Sequence, residues 1–291
     1  MKVLFVVNPR SGNKEEADFD NLVAEQAGIS GFTYEVYRMK GRDDVRNISR
    51  LIHSCEPDVV AGAGGDGTIN LLASLLHGSE TPLLIIPRGS ANGMAKELGI
   101  RNVPSALQLF ETGIRRRIDL LRINGHICIH LADVGPNARI VKKFEQDARR
   151  GIATYAKFFF QEMFLHKHYR FTIRHDDETL YTKVFSLTFA NASKYGTGAV
   201  INPIGQVDDS VFELVLIRPF PRIKLLPIIL KLFLNKLQTS EYVRVIRCRS
   251  ASVTCSRRTT LQIDGEVIGK VRQIDAEMLA RSLTVIVPET T

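Results

Sequence analysis

The sequence predicts an α/β N-terminal domain built on a parallel sheet, residues 1–120, followed by a C-terminal antiparallel β-sandwich domain, residues 121–291. Three observations predict it. Apolar runs of strand length alternate with helically spaced segments up to about residue 120, the pattern of a parallel sheet covered on both faces. Beyond that point the apolar runs are short and divided by turn residues, as in a sandwich. No repeat, low-complexity segment or Pro/Gly/Ser-rich linker separates the halves, so they are expected to pack together with a site between them.

In chain order, "KVLFVV" (2–7) is a continuous apolar run of strand length, and "FTYEVYRM" (32–39) alternates like a strand. "DDVRNISRLIHS" (43–54) has helical spacing, "DVVAGA" (58–63) reads as a strand and "TINLLASLLHG" (68–78) as a helix. A further strand, "PLLIIP" (82–87), precedes two helices, "ANGMAKELG" (91–99) and "PSALQLFETG" (104–113). The second half offers strands at "YRFTIRH" (169–175), "KVFSLTFANAS" (183–193), "VFELVLIR" (211–218), "VRVIRCRS" (243–250), "ASVTCS" (251–256), "TTLQIDGEVIG" (259–269) and "SLTVIVP" (282–288). Helical stretches near 137–165 and 222–237 interrupt them.

Composition narrows the function classes. The chain is 44% hydrophobic and 24% charged, which suits a packed globular protein. No apolar run approaches the ~20 residues of a membrane-spanning helix. The start, "MKVLFVVNPRSG", reads as a first strand and not as a signal peptide. Cys55, Cys128, Cys248 and Cys255 show no CxxC spacing and suit reduced, mostly buried thiols. A cytoplasmic protein is expected. Lys and Arg number 39 against 31 Asp and Glu, and a basic surface favours anionic partners. No nucleic-acid recognition motif or aromatic-rich basic platform accompanies that charge, so no nucleic-acid partner is expected.

Three loops that follow strands share one chemistry. They are "VVNPRSGN" (6–13), "AGAGGDGTIN" (61–70) and "IIPRGSANGMAKELG" (85–99). Glycines permit tight turns and close backbone approach, and the next helix offers N–H groups and a positive dipole end to phosphate. In the third loop, Ser90 or Asn92 can cap the helix. No Gly-Lys-Ser/Thr follows any of them, so none is a Walker A loop. Asp66 stands where it would repel a bare phosphate. A carboxylate is tolerated there if Mg²⁺ lies between the two, so Asp66 suggests a magnesium–nucleotide complex. Completion of a turn is the alternative reading.

The ordered set Asn8-Pro9-Arg10-Ser11-Gly12, Gly64-Gly65-Asp66-Gly67-Thr68 and Pro87-Arg88-Gly89-Ser90-Ala91-Asn92 resembles the diacylglycerol kinase catalytic domain of bacterial lipid kinases and sphingosine kinases. The resemblance continues through "RRIDLLRING" (116–125), "ANASKYGTGAVINP" (190–203), "QVDDSVF" (206–212) and "IDGEVI" (263–268). It implies an N-terminal domain like that of NAD kinases and phosphofructokinases, and a sandwich that receives lipid. It places ATP against residues 8–12, 64–70 (Asn70 included) and 88–92. It makes Glu266 the proton acceptor, supported by Asp264, and assigns a structural Mg²⁺ to Asp209 with the carbonyls of Gln206 and Val211. Read from the residues alone, Asp264-Gly265 is first a hairpin turn whose tip can present a carboxylate. Gly93 stands where many bacterial members carry Asp, Met39 where a threonine is common, and "DDS" (208–210) where Asp-Asp-Gly is usual.

The segment "PFPRIKLLPIILKLFLNKLQ" (219–238) interleaves apolar residues with Arg222, Lys224, Lys231 and Lys236, as in a helix lying on an anionic membrane. A core helix over the sandwich, bent or restarted at Pro227, is the alternative, and "YAKFFFQEMFLHKHYR" (155–170) poses the same choice. The first reading is therefore an ATP- and Mg²⁺-dependent kinase of diacylglycerol or a related lipid. It would meet its substrate at the inner face of the membrane as a peripheral protein, with a homodimer left open. An NAD kinase-like dinucleotide kinase is the rival within the class. A non-catalytic nucleotide- or lipid-binding regulator, prompted by Met39 and Gly93, is the rival outside it.

Overall fold

Lys2–Val7 forms the first strand, β1, with five consecutive side chains buried, as expected of a run that has no polar face to leave in water. The computed structural model describes residues 1–11, 16–136, 138–140, 162, 168–195 and 199–289. It divides into two compact units: Met1–Ile118 with Arg281–Thr291, and Asp119–Ala280.

The first unit continues through α1 (Glu16–Ser30), β2 (Thr33–Arg38), α2 (Asp44–Cys55), β3 (Val59–Gly64), α3 (Asp66–Leu76), β4 (Leu83–Pro87), α4 (Gly93–Glu97) and α5 (Val103–Thr112). Its strands are parallel in the order β2-β1-β3-β4. Because β1 lies between β2 and β3, successive connections leave it in opposite directions. The crevice at the carboxyl ends of β1 and β3 is thus where a ligand fits such a sheet. The sequence pattern missed α1. Among its described side chains Phe19, Val23 and Ala27 are buried, one per turn, too thin a stripe to stand out among their polar neighbours. Phe19 and Phe32 pack on Phe5 with ring centroids 6.4 and 6.2 Å apart. Asn102 and Ser105 cap α5 reciprocally, each side chain accepting the other's backbone N–H.

The second unit is antiparallel. It contains β6 (His126–Cys128), β7 (Leu131–Val134), β8 (Tyr169–His175), β9 (Glu178–Val184), β10 (Ser186–Ala190), β11 (Phe212–Ile217), β12 (Val243–Cys248) and β13 (Ser250–Ile263). Two long strands, β5 (Ile114–Ile123) and β14 (Glu266–Val287), contribute to both units. The order is β12-β11-β10-β7-β13-β14, with β8 and β9 continuing from β13 and β6 pairing β5. Leu121, Phe171, Leu187, Phe189, Phe212 and Val253 are among its core. One helix, α6 (Leu225–Phe233), lies between 3₁₀ turns at Arg222–Lys224 and Leu237–Thr239. Pro227 sits in its first turn, where a missing N–H costs no intrahelical bond. The helix expected over 222–237 is therefore shorter and starts late. The one expected near 137–165 falls almost entirely outside the described residues.

The C-terminus departs from a single boundary at residue 120. The end of β14 pairs in parallel with β4, Val285 beside Leu83 and Ile286 beside Leu84, and so belongs to the first unit. The physical reason is visible in "SLTVIVP". Leu283, Thr284, Val285, Ile286 and Val287 are all buried, the unbroken burial of an inner parallel strand and not the alternation of a half-solvated one. No helix among the described residues is long and apolar enough to cross a membrane. Cys128, Cys248 and Cys255 are buried and Cys55 is half-buried. Burial pushes the Cys248 thiol up to about 12.

Leu283→Ala should lower the unfolding free energy by roughly 2–5 kcal/mol in a chemical denaturation curve, the cost of a cavity in a packed core. A change near zero would remove residues 281–287 from that core.

Candidate functional site

The three glycine loops of the first unit come together at the carboxyl ends of the strands. Asn8, one residue past β1, donates from Nδ2 to Thr68 Oγ1 at 3.1 Å and accepts the Arg10 N–H at 3.0 Å. Its own N–H donates to the Ala63 carbonyl at 2.9 Å, which ties the end of β1 to that of β3. Thr68 is buried in the first turn of α3. It sits so close to Gly64 that a Cβ there would lie 2.5 Å from Thr68 Oγ1. Gly64 is required by that approach.

The second and third loops touch backbone to backbone. A Cβ on Gly89 would lie 2.5 Å from the Cα of Gly65. The Arg88 N–H donates to the Gly64 carbonyl at 2.9 Å. Asp66 Oδ1 accepts the Met94 N–H at 3.2 Å, while its other oxygen has no protein donor among the described residues. Asn92 occupies the N-cap position of α4 but does not cap it. Its amide turns back on Gly89, accepting the N–H and donating to the carbonyl, each at 2.8 Å, with Asn92 at φ 50°. The capping role expected of Ser90 or Asn92 is thus replaced by a closed ring that shapes the loop; Ser90 is exposed.

Asn70 Oδ1 is buried without a hydrogen-bond partner among the described residues, an acceptor left over beside the loop. Arg88 is buried, with its guanidinium 4.7 Å from the Phe19 ring centroid, and so packs as well as carrying charge. Pro9 and Arg10 are exposed, Ser11 and Gly67 are half-buried, and Gly12 lies outside the described residues.

A fourth loop, after β2, was not singled out by sequence beyond Met39. Asp44 gathers it, accepting the N–H groups of Lys40 at 2.9 Å and Gly41 at 2.7 Å and the Tyr37 hydroxyl at 2.8 Å. Burial alone would raise the Asp44 carboxyl, but these donors outweigh it and hold the group below its ordinary value. Met39 donates its N–H to the Val7 carbonyl at 2.9 Å, a backbone bond that any residue except proline could make.

In the second unit, Asp264 and Gly265 form the two-residue turn that the Asp-Gly pair predicts, with φ 48° and 87° and Ile263 opposite Glu266. The Asp264 carboxylate points inward. It accepts the N–H groups of Ile129 at 2.8 Å, His130 at 2.9 Å and Leu131 at 3.0 Å, and the Asp264 N–H donates to the Leu131 carbonyl at 2.9 Å. Burial pushes the carboxyl up, while His130 and the three N–H groups pull it down. Glu266, at the first residue of β14, is exposed.

Beneath the turn runs a polar network that sequence reasoning missed. The Gly265 N–H donates to Gln262 Oε1 at 2.8 Å, and Gln262 Nε2 donates to Asp133 Oδ2 at 2.6 Å. Asp133 Oδ1 also accepts from Tyr195 at 2.9 Å and from Thr188. Asp133, Gln262 and Thr188 are buried. The available signal was a carboxylate inside the apolar run "LADV" and an amide inside "LQI".

Gln206, Asp209 and Val211 share one loop, which Asp119 holds from below. Asp119 is buried, accepts the Ser210 N–H at 2.6 Å and donates its own N–H to the Val207 carbonyl at 2.6 Å. Asp209 accepts the Val211 N–H at 3.3 Å on one oxygen and pairs through the other with Arg247, whose Nε also reaches Glu213 at 3.0 Å. That carboxylate thus faces a guanidinium and is not offered to a cation. As arranged, Asp209 is paired with Arg247 and does not itself offer a free carboxylate to the structural Mg²⁺ that the resemblance implies.

Residues 2–123 match the family model described as diacylglycerol kinase catalytic domain. Residues 132–287 match that of the YegS C-terminal NAD kinase beta sandwich-like domain. A curated relative, "Probable lipid kinase YegS-like" of Chromohalobacter salexigens, is 27% identical over 78% of this chain and 75% of its own length. An uncharacterised Synechocystis protein is 29% identical over 79% of this chain, which spans only 54% of that relative. A Bacillus anthracis crystal structure described as a candidate diacylglycerol kinase superposes with a TM-score of 0.81 at 19% identity. It covers 98% of this chain and 96% of that one, and shows the same fold.

Asp264→Ala strips three backbone N–H groups of their acceptor, each costing on the order of 1–3 kcal/mol if left unpaired. The variant should lose about 3 kcal/mol or more in a denaturation curve. A loss under about 1 kcal/mol would show that the turn does not depend on this carboxylate.

Proposed function

The chain belongs to the lipid-kinase family that joins a diacylglycerol kinase catalytic domain to a YegS-type C-terminal sandwich, and from that premise we propose an ATP- and Mg²⁺-dependent kinase acting on a hydroxyl of diacylglycerol or a related lipid. The observation that carries the proposal is the convergence of three glycine loops around Asp66, joined by the Asn8–Thr68 bond and the Gly65–Gly89 approach. Such loops cradle phosphates through backbone N–H groups and a helix N-terminus. Asn70 Oδ1, without a partner among the described residues, is an acceptor suited to a nucleotide hydroxyl or amine.

Asp66 fits a role toward a nucleotide-bound Mg²⁺, because Met94 steadies one oxygen and no donor among the described residues occupies the other. Bound there, the ion would neutralise charge on the β- and γ-phosphates. The protein's own part is positioning. The loops hold the nucleotide, the lipid hydroxyl oxygen attacks the γ-phosphorus, the bond to the β–γ bridging oxygen breaks, and ADP leaves. Glu266 accepts the hydroxyl proton, a task open to an exposed carboxylate. Asp264, committed to three backbone N–H groups, is a positioning residue that fixes where β14 begins. The lipid is met at the membrane surface from the cytoplasmic side, and the excess of 39 basic over 31 acidic residues supports peripheral attachment there.

Labelled ATP offered with a panel of lipids in mixed micelles, and with NAD in a parallel reaction, should transfer label to a lipid and not to the dinucleotide. Asp66→Asn should reduce that transfer by at least about a hundredfold while far-UV circular dichroism stays that of the parent. Label in NAD, or near-parent turnover of the variant at saturating Mg²⁺, would overturn the assignment.

A further inference from the structure

Helix α6 is apolar at every position except Lys231, yet it is only half covered. Leu225, Ile228 and Leu232 face inward and pack with Phe185, Phe220 and Leu237. On the other side Leu226, Leu230, Phe233 and Leu234 recur at i, i+4, i+7 and i+8, so they form one stripe along the helix. That stripe is exposed: Leu226 63%, Leu230 52%, Phe233 57% and Leu234 64%, with Ile223 on the preceding turn at 83%. A solvent-facing stripe in an ordinary surface helix is polar. A cluster of this kind marks a surface that meets another apolar phase.

Charge identifies that phase. From Arg218 to Ser240 the chain carries Arg218, Arg222, Lys224, Lys231 and Lys236 and no acidic residue. Lys224 and Lys231 border a groove of about 290 Å³ beside the helix, lined also by Thr239, Ser240 and Tyr242, with Glu241 as its one acid. A two-fold contact with a second copy would set this basic rim against itself. An anionic bilayer satisfies both features, taking leucines and phenylalanine at the acyl boundary and lysines at the phosphates. We propose that α6 and the turn before it are the surface by which the protein docks on an anionic membrane. The inference deepens the lipid-kinase reading and rests on it for why a bilayer is the partner.

The chain contains no tryptophan, so Phe233→Trp places a single reporter on the stripe. Its emission should shift to shorter wavelength with phosphatidylcholine–phosphatidylglycerol vesicles, far less with phosphatidylcholine alone. The shift should fade as salt shortens the screening length below ~8 Å. Leu226→Asp with Leu230→Asp should cut co-sedimentation by more than about tenfold at unchanged melting temperature. That variant should keep parent turnover on a short-chain diacylglycerol presented as monomer. Vesicle binding with an unmoved reporter, absence of binding at low salt, or a reporter already blue-shifted without lipid would overturn the docking surface. If the parent phosphorylates no lipid while the reporter still responds to vesicles, the kinase reading falls and the surface stands.

Discussion

The Asp-Gly turn of the second unit depends on one buried contact set, the Asp264 carboxylate gripped by the N–H groups of Ile129, His130 and Leu131. A positive-φ turn of Asp and Gly is short and has few ways to hold its tip still. Here the first turn residue is anchored to the neighbouring segment by its side chain and by its own N–H. The second is tied through Gln262 to Asp133, and through it to Thr188 and Tyr195. Two exits from the turn are thereby pinned, and Glu266 leaves it in a set direction with its own carboxylate uncommitted to backbone. Of two carboxylates two residues apart, Asp264 is consumed by structure and Glu266 is exposed.

A steric constraint does the same at the glycine loops of the first unit, where we propose that the nucleotide binds. Gly65 and Gly89 approach so closely that a Cβ on Gly89 would collide with the Gly65 backbone, while one on Gly65 would press to 3.3 Å on the Cα of Gly89. The order of strands brings the ends of β1 and β3 together at the switch point, and Asn8 bridges them to Thr68. Asp66 then spans two loops by accepting from Met94. The same feature, a backbone N–H aimed at a carboxylate, organises Asp44 after β2 and Asp119 under the 206–211 loop. Arg247 adds a guanidinium at Asp209, where the family resemblance implies a metal.

Much of this was legible in the sequence because it rests on local chemistry. Continuous apolar runs gave way to buried parallel strands, and Asp-Gly between two strand-like runs became a hairpin. What escaped notice was non-local or diluted. α1 buries one residue per turn, so its period is faint. The return of "SLTVIVP" to the first unit needed the observation that apolar residues fill both of its faces, Thr284 excepted. Asp133, Gln262, Thr188 and Tyr195 are scattered over 130 positions, and only folding shows that they form one network. Arg247 sits in an ordinary alternating strand, with nothing in its neighbours to pair it with Asp209.

The division of labour between Asp264 and Glu266 is the central claim, and one variant tests it directly. Glu266→Gln keeps size and polarity at an exposed position, so it should melt and bind ATP like the parent. If Glu266 is the proton acceptor, kcat should fall by about 10²–10⁴, the usual loss on removing a general base. A Glu266→Gln enzyme that turns over like the parent would contradict the account and place the base elsewhere.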